Sequence, residues 1–274
     1  MQAEVPDNEL LYGGNPEVVE QETGRQGDEP VTIEPETDEI VESERDGSPD
    51  EAIGLSRVLL QMGETYRANS DSSVRDQTFI KLLHGYIGSQ LKERLTKFAK
   101  RRGITVRYEA KVLGSTKPKK VDVAVIDPEN GPLILIGIRS QMSSIGKNVL
   151  GYYENIVGEC ISLQDRFPMC VHGYIYLHPW TSIKEGKEAE RINHSRYARI
   201  YETATGRSGP AYKTLRGIFD EFAYMVVDFE RNPPQLRDEV VQAAVPNLDM
   251  SINTFAERVI NTFNSRTLFW EVFK

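Results

Sequence analysis

Apolar residues are sparse and without rhythm from Met1 to Asp50 and become periodic from Glu51 onward. Leu55 to Tyr66 has the spacing of a short helix. After the polar stretch Asn69 to Ser73 a long helix is predicted, with Ser73 and Asp76 at capping-box spacing. Phe79, Leu82, Leu83, Tyr86, Ile87, Leu91, Leu95 and Phe98 recur at three- and four-residue steps and give it one apolar face. Arg101-Arg102-Gly103 supplies its basic last turn and stop. His84 lies beside the stripe and reads as structural.

The rhythm then shortens to two. Ile104 to Val112 alternates apolar and polar residues, as a half-buried strand does. Val121 to Ile126 and Leu133 to Gln141 read as two further strands, joined through an Asn-Gly turn at Asp127 to Pro132. A second long helix fits Ser144 to Asp165, and a fourth strand fits Met169 to Leu177. The predicted order is helix, strand, strand, strand, helix, strand. The remainder, His178 to Lys274, reads as mostly helical, with helical spacing at Ile218 to Phe229 and more weakly at Thr254 to Phe263.

Composition narrows the class. The chain has 274 residues, 39% of them hydrophobic, enough for a sizeable core. The longest clean apolar run, Leu133 to Ile138, is far short of the roughly 20 residues of a membrane helix. The start, Met-Gln-Ala-Glu-Val-Pro-Asp, lacks the basic and apolar regions of a secretory signal. With two cysteines, Cys160 and Cys170, neither a disulfide scaffold nor a zinc site is expected. The expected compartment is the cytoplasm.

Charge divides the chain. The net charge is −8, yet residues 1–50 hold 16 acids against Arg25 and Arg45, which is −14, and leave +6 for residues 51–274. The first segment is expected to be a disordered acidic arm, because it cannot bury enough apolar surface to offset the entropy of ordering. Residues 51–274 are expected to form a single domain whose basic surplus suits a polyanionic partner.

Metal-assisted phosphodiester hydrolysis needs carboxylates to hold a hard cation, and a cation or donor to steady the phosphate and the attacking water. Adjacent strands can present such groups on one face. Asp122 is the only charge inside a valine-rich strand, expected to point away from Val121, Val123 and Val125. Arg139 and Gln141 lie at the end of the next strand, opposite the face filled by Ile134, Ile136 and Ile138. Glu109 stands between Arg107 and Lys111 on the polar side of the first strand.

Over residues 74–177 the order of elements resembles the core of the PD-(D/E)xK nuclease superfamily, typified by type II restriction endonucleases. The resemblance implies an α/β fold: an αβββαβ core with a mixed central sheet flanked by helices, followed by a helical recognition or accessory part at 178–274. It puts Asp122 at the first acidic position, within Lys120-Val121-Asp122. The second motif falls on Gly137-Ile138-Arg139 or on Arg139-Ser140-Gln141, where glycine or arginine stands in place of the acid. The missing carboxylate is expected from Glu109 or from Glu154 on the following helix, and the missing lysine from Lys147. Together these imply a Mg²⁺-dependent endonuclease, with Asp122, Glu109 and Glu154 as metal ligands. Arg139, Gln141 and Lys147 would assist the chemistry.

Eleven lysines and arginines against Glu109 and Glu93 between Lys92 and Lys120 would contact phosphates, Arg101, Arg102, Lys117, Lys119 and Lys120 among them. A second basic zone, Lys184 to Arg216, offers Arg196, Arg199, Arg207 and Lys213, with Arg207-Ser208-Gly209 as a groove-entering loop. The expected partner is double-stranded DNA, cut by a homodimer if the site is palindromic. The alternatives are a DNA-binding module on the same scaffold with chemistry lost, or a protein-interaction domain.

Overall fold

The computed structural model describes residues 54–68, 78–182, 190–207, 218–267 and 271–274. The acidic arm, the Ser73/Asp76 capping pair and Lys213 lie outside the described residues.

The chain runs α1 (Leu55–Ala68), α2 (Thr78–Arg94), α3 (Lys97–Arg101), β1 (Thr105–Leu113), β2 (Pro118–Asp127), β3 (Gly131–Ser140), α4 (Ile145–Arg166) and β4 (Val171–Pro179). It continues through the short strands β5 (Thr181–Ser182) and β6 (Glu190–Arg191), then α5 (His194–Thr203), β7 (Glu221–Asp228), β8 (Gln235–Leu236), α6 (Asp238–Ala244) and α7 (Ile252–Arg266). This is the expected α/β architecture, a mixed sheet flanked by helices with a largely helical C-terminal part. The main sheet has six strands in the order β1-β2-β3-β4-β7-β8. Strands β1, β2 and β3 form an antiparallel meander, β3, β4 and β7 are parallel, and β8 closes antiparallel to β7.

Both faces of the sheet are covered. Leu83, Ile87 and Leu91 of α2 pack with Val58 and Met62 of α1 and Phe255, Val259 and Phe263 of α7 against Val123, Val125, Ile134, Ile136 and Ile175. On the other face Ile156 and Cys160 of α4 and Tyr197 and Tyr201 of α5 pack on Tyr174, Tyr176, Phe222 and Tyr224. Strands β4 and β7, covered on both sides, are buried almost throughout.

Two elements differ from the expectation. Ile218–Phe229 is not a helix: Glu221–Asp228 is the inner strand β7. A strand buried on both faces is apolar at successive positions, so helical three- and four-residue steps occur in it by default. The long predicted helix also breaks before Arg101. Leu95 bridges to Phe273, the Thr96 N–H donates to Val272, and the Thr96 hydroxyl caps α3 by accepting from the Ala99 N–H at 3.1 Å. Phe98, expected on the apolar face, is 42% exposed as a result. No helix among the described residues is long and apolar enough to cross a membrane.

Candidate metal centre

Strands β1 and β2 keep one register, with Tyr108 opposite Val123 and Ala110 opposite Val121, so Glu109 and Asp122 face each other between these pairs. At that point the strand is distorted: Glu109 has φ +52°, a left-handed conformation that costs a non-glycine residue about 1–3 kcal/mol. Regular pleating would put Val106, Ala110 and Val112 on one face. Instead Val106 packs against the core on the α2 side, while Ala110 and Val112 join Leu163 of α4. Strand β2 switches at the same level, with Val123 and Val125 on the α2 side and Val121 on the α4 side. This corrects the expectation that the three valines share a face. The switch brings the two carboxylates together where the strands change sides.

The β2–β3 ladder ends beside them. Its last paired residues on that side are Val123 and Ile136, and the Ile138 N–H donates to Asp122 Oδ2 at 2.6 Å. A carboxylate thus stands in for a main-chain acceptor, and the sheet parts there. Burial raises the Asp122 pKa to about 6; the Ile138 N–H opposes this, Glu109 adds to it, and Arg139 draws it down.

Above the pair lies His84, buried on α2. Its Nδ1 is 3.8 Å from Glu109 Oε1 and its Nε2 is 3.7 Å from Asp122 Oδ1, both too long for hydrogen bonds. Neither ring nitrogen has another hydrogen-bond partner. Burial pushes the His84 pKa down to about 4, with Glu109 opposing and Lys81 and Lys120 assisting, so the ring is neutral near pH 7 and carries one lone pair. Leaving a buried polar atom unsatisfied costs about 1–3 kcal/mol.

One ligand atom from each of His84, Glu109 and Asp122 falls within 4.8 Å of the other two. Ligands at 2.0–2.6 Å from one ion can be no more than about 4–5 Å apart, so the three can hold a single divalent cation. The orphaned imidazole lone pair is what such an ion would satisfy.

The group opens into a cleft of about 530 Å³ whose polar lining adds Lys117, Lys119, Lys120, Arg139 and Glu159. Lys120 Nζ contacts Glu109 Oε2, the main cause holding the Glu109 pKa below the usual carboxylate range. Lys119 pairs with Glu159 at 3.5 Å, and the Arg139 guanidinium lies 5.1 Å from the centre of the Tyr152 ring.

Several expected participants lie elsewhere. Gln141 is buried, accepting from the Tyr176 hydroxyl at 3.0 Å and donating to the Ser144 carbonyl at 3.3 Å, and so secures the turn into α4. Lys147 and Glu154 are exposed on α4 and do not line the cleft. Arg102 pairs with Asp127 at 3.1 Å and Glu129 at 2.7 Å, and Arg101 borders a separate groove with Phe98 and Phe273. Arg196 and Arg199 are exposed on α5. Arg207 is buried against Asp220, with its two terminal nitrogens donating to the carbonyls of Pro168 and Cys170. It cannot enter a groove from there.

His84 and Glu159 went unrecognised in the sequence. Ile80, His84, Ile87 and Leu91 form a helical row in which the histidine replaces an apolar residue, and Ile156, Glu159 and Leu163 form a similar row on α4. Either substitution is a usable signal once the row is known to face the sheet.

No family model matches this chain, and neither the curated proteins nor the solved structures contain a match to it.

Proposed function

We propose that the chain is a metal-dependent endonuclease of restriction type that hydrolyses phosphodiester bonds in double-stranded DNA on a PD-(D/E)xK-like scaffold. The observation that carries this reading is the buried, unpartnered imidazole of His84 between two carboxylates at the parting of β2 and β3, in a cleft rimmed by lysines. A bound divalent ion would polarise the phosphate and lower the pKa of the attacking water. Asp122, Glu109 and His84 hold it. Arg139 steadies the phosphate, and Lys117 and Lys119 guide the DNA backbone along the rim. Glu159 takes the part in the cleft expected of Glu154, a carboxylate supplied from α4.

The expected ion is Mg²⁺. An imidazole beside two carboxylates also suits Mn²⁺, which binds nitrogen ligands better than a strictly oxygen-seeking cation does. Mn²⁺ should therefore support cutting at lower concentration. The proposal is tested by incubating phage and plasmid DNA with each ion, comparing the full chain with Asp122→Ala. Discrete fragments that the variant fails to produce support it, with a loss of at least about 100-fold. Absence of cutting with any divalent ion rejects catalysis.

One observation favours the alternative, a DNA-binding module without chemistry. A Cβ on Gly137 would come within 2.5 Å of the Tyr174 ring, so an acid at that motif position has no room. This reading predicts DNA affinity that is independent of metal and unchanged in Asp122→Asn.

A further inference from the structure

Lys120 occupies a position that a simple surface lysine would not need. Its ammonium contacts Glu109 Oε2, while the other oxygen of that carboxylate faces His84 at 3.8 Å. Its side chain is 55% exposed and lines the same cleft as Arg139. The carboxylate that completes the cation group is thus already neutralised by a cation on a flexible stem. The stem can swing into the cleft without unpacking anything.

We infer that Lys120 is a displaceable internal counter-ion: it holds Glu109 until a divalent cation binds, and the released ammonium then turns to the phosphate. This rests on the nuclease reading and deepens it. The argument is one of charge. Glu109 and Asp122 bring two negative charges when ionised, and Lys120 offsets one. A dication shared by both carboxylates exceeds that need, so it weakens the hold of Glu109 on Lys120 and repels the ammonium across a few ångströms. The nearest place for the freed cation is the cleft, where a phosphate oxygen would accept from it. Lys120 thereby supplies the lysine that the Gly137-Ile138-Arg139 motif lacks, two residues before Asp122 on the same strand. Before the ion arrives, its contact with Glu109 keeps the acidic pair from standing unbalanced.

The test separates metal binding from cutting. Mn²⁺ binding to the full chain without DNA is measured by paramagnetic resonance of the free ion, for wild type, Lys120→Ala and Lys120→Gln. Both variants should bind Mn²⁺ about three- to ten-fold more tightly, because a competitor has been removed. At saturating Mn²⁺ their kcat for DNA cleavage should fall about 100-fold with KM little changed, since Lys117 and Lys119 remain. Unchanged or weaker Mn²⁺ affinity overturns the displacement. Tighter binding with a wild-type kcat overturns the transfer to phosphate. Tighter binding in the variants of a chain that cuts no DNA leaves the exchange standing and removes the nuclease reading instead. Failure of the wild type to bind Mn²⁺ overturns both.

Discussion

Two aspartates of this domain each accept a main-chain N–H from a neighbouring strand: Asp122 takes that of Ile138 at 2.6 Å, and Asp220 that of His172 at 2.7 Å. Their remaining partners differ. Asp220 also accepts from Arg207 at 3.0 and 3.1 Å and contacts the Arg266 guanidinium, so each oxygen meets a cation. Asp122 faces a second acid, Glu109, and a neutral imidazole whose nitrogens are unsatisfied. One carboxylate is closed by guanidinium groups and ties β4 to the start of β7; the other is left short of positive charge beside an open cleft. Burial of charge does not by itself mark a site. The deficit in its compensation is the better marker, because it costs stability that a bound ligand would return.

The largest effect should come from opening the closed site. Arg207→Met leaves Asp220 buried with half of its cationic shell gone, and should cost about 3–5 kcal/mol of stability. Urea unfolding of the full chain checks this, and a loss under about 1 kcal/mol would contradict the account of Asp220 as a saturated structural pair.

A smaller effect follows from pH in the same region. Burial pushes the His172 pKa down to about 4, with Asp220 opposing and Arg207 assisting. A depressed histidine contributes stability that is complete above its unfolded pKa and lost as pH falls toward the folded value. Between pH 7 and pH 5 this loss is about 2 kcal/mol. The Asp122 carboxyl acts with the opposite sign. Its raised pKa of about 6 means that protonation on acidification favours the folded chain, which returns about 1 kcal/mol over the same window. These two groups together give a loss of about 1 kcal/mol between pH 7 and pH 5, and His84, also held down to about 4 by burial, adds to it, so the urea midpoint of the wild type should fall on acidification. A gain in stability on acidification would contradict the balance.

The same contrast decides what could be read without coordinates. Strand β1 was legible because its apolar and polar residues alternate, β2 and β3 because two short apolar runs flank an Asn-Gly turn, and α4 because its apolar residues keep helical spacing. Asp122 was legible as a charge inside Val121-Asp122-Val123. Strand β7 was not, since Phe222 to Val227 is buried on both faces and has no polar positions to set a period. Arg207-Ser208-Gly209 has the composition of a surface loop, and only contact with Asp220 reveals that its arginine is internal. The break after α2 depends on Val272 and Phe273, at the far end of the chain. The only local sign of His84 is its place in the apolar row of Ile80, Ile87 and Leu91, which a core histidine would share. What distinguishes it from a core histidine is the arrival of two acids from β1 and β2, and that is a product of the strand switch at Glu109.

Asp122→Asn is the smallest perturbation and the most discriminating in sign. The amide oxygen can still accept the Ile138 N–H, so the strand junction is kept while the buried charge and its repulsion from Glu109 disappear. At pH 7, where Asp122 is ionised at the expense of folding, the variant should be more stable than wild type by about 1–3 kcal/mol. At pH 5 the wild-type carboxyl is mostly protonated in the folded chain, so the difference should shrink by about 1 kcal/mol, and it should vanish only below the unfolded carboxyl's pKa. The same change at Asp220 strips a buried ion pair and should destabilise at both pH values. A variant that gains stability while losing Mn²⁺ affinity marks Asp122 as a position held in strain for a ligand. Equal losses for the two Asp→Asn variants would mean instead that both carboxylates are structural, and the deficit argument would fail.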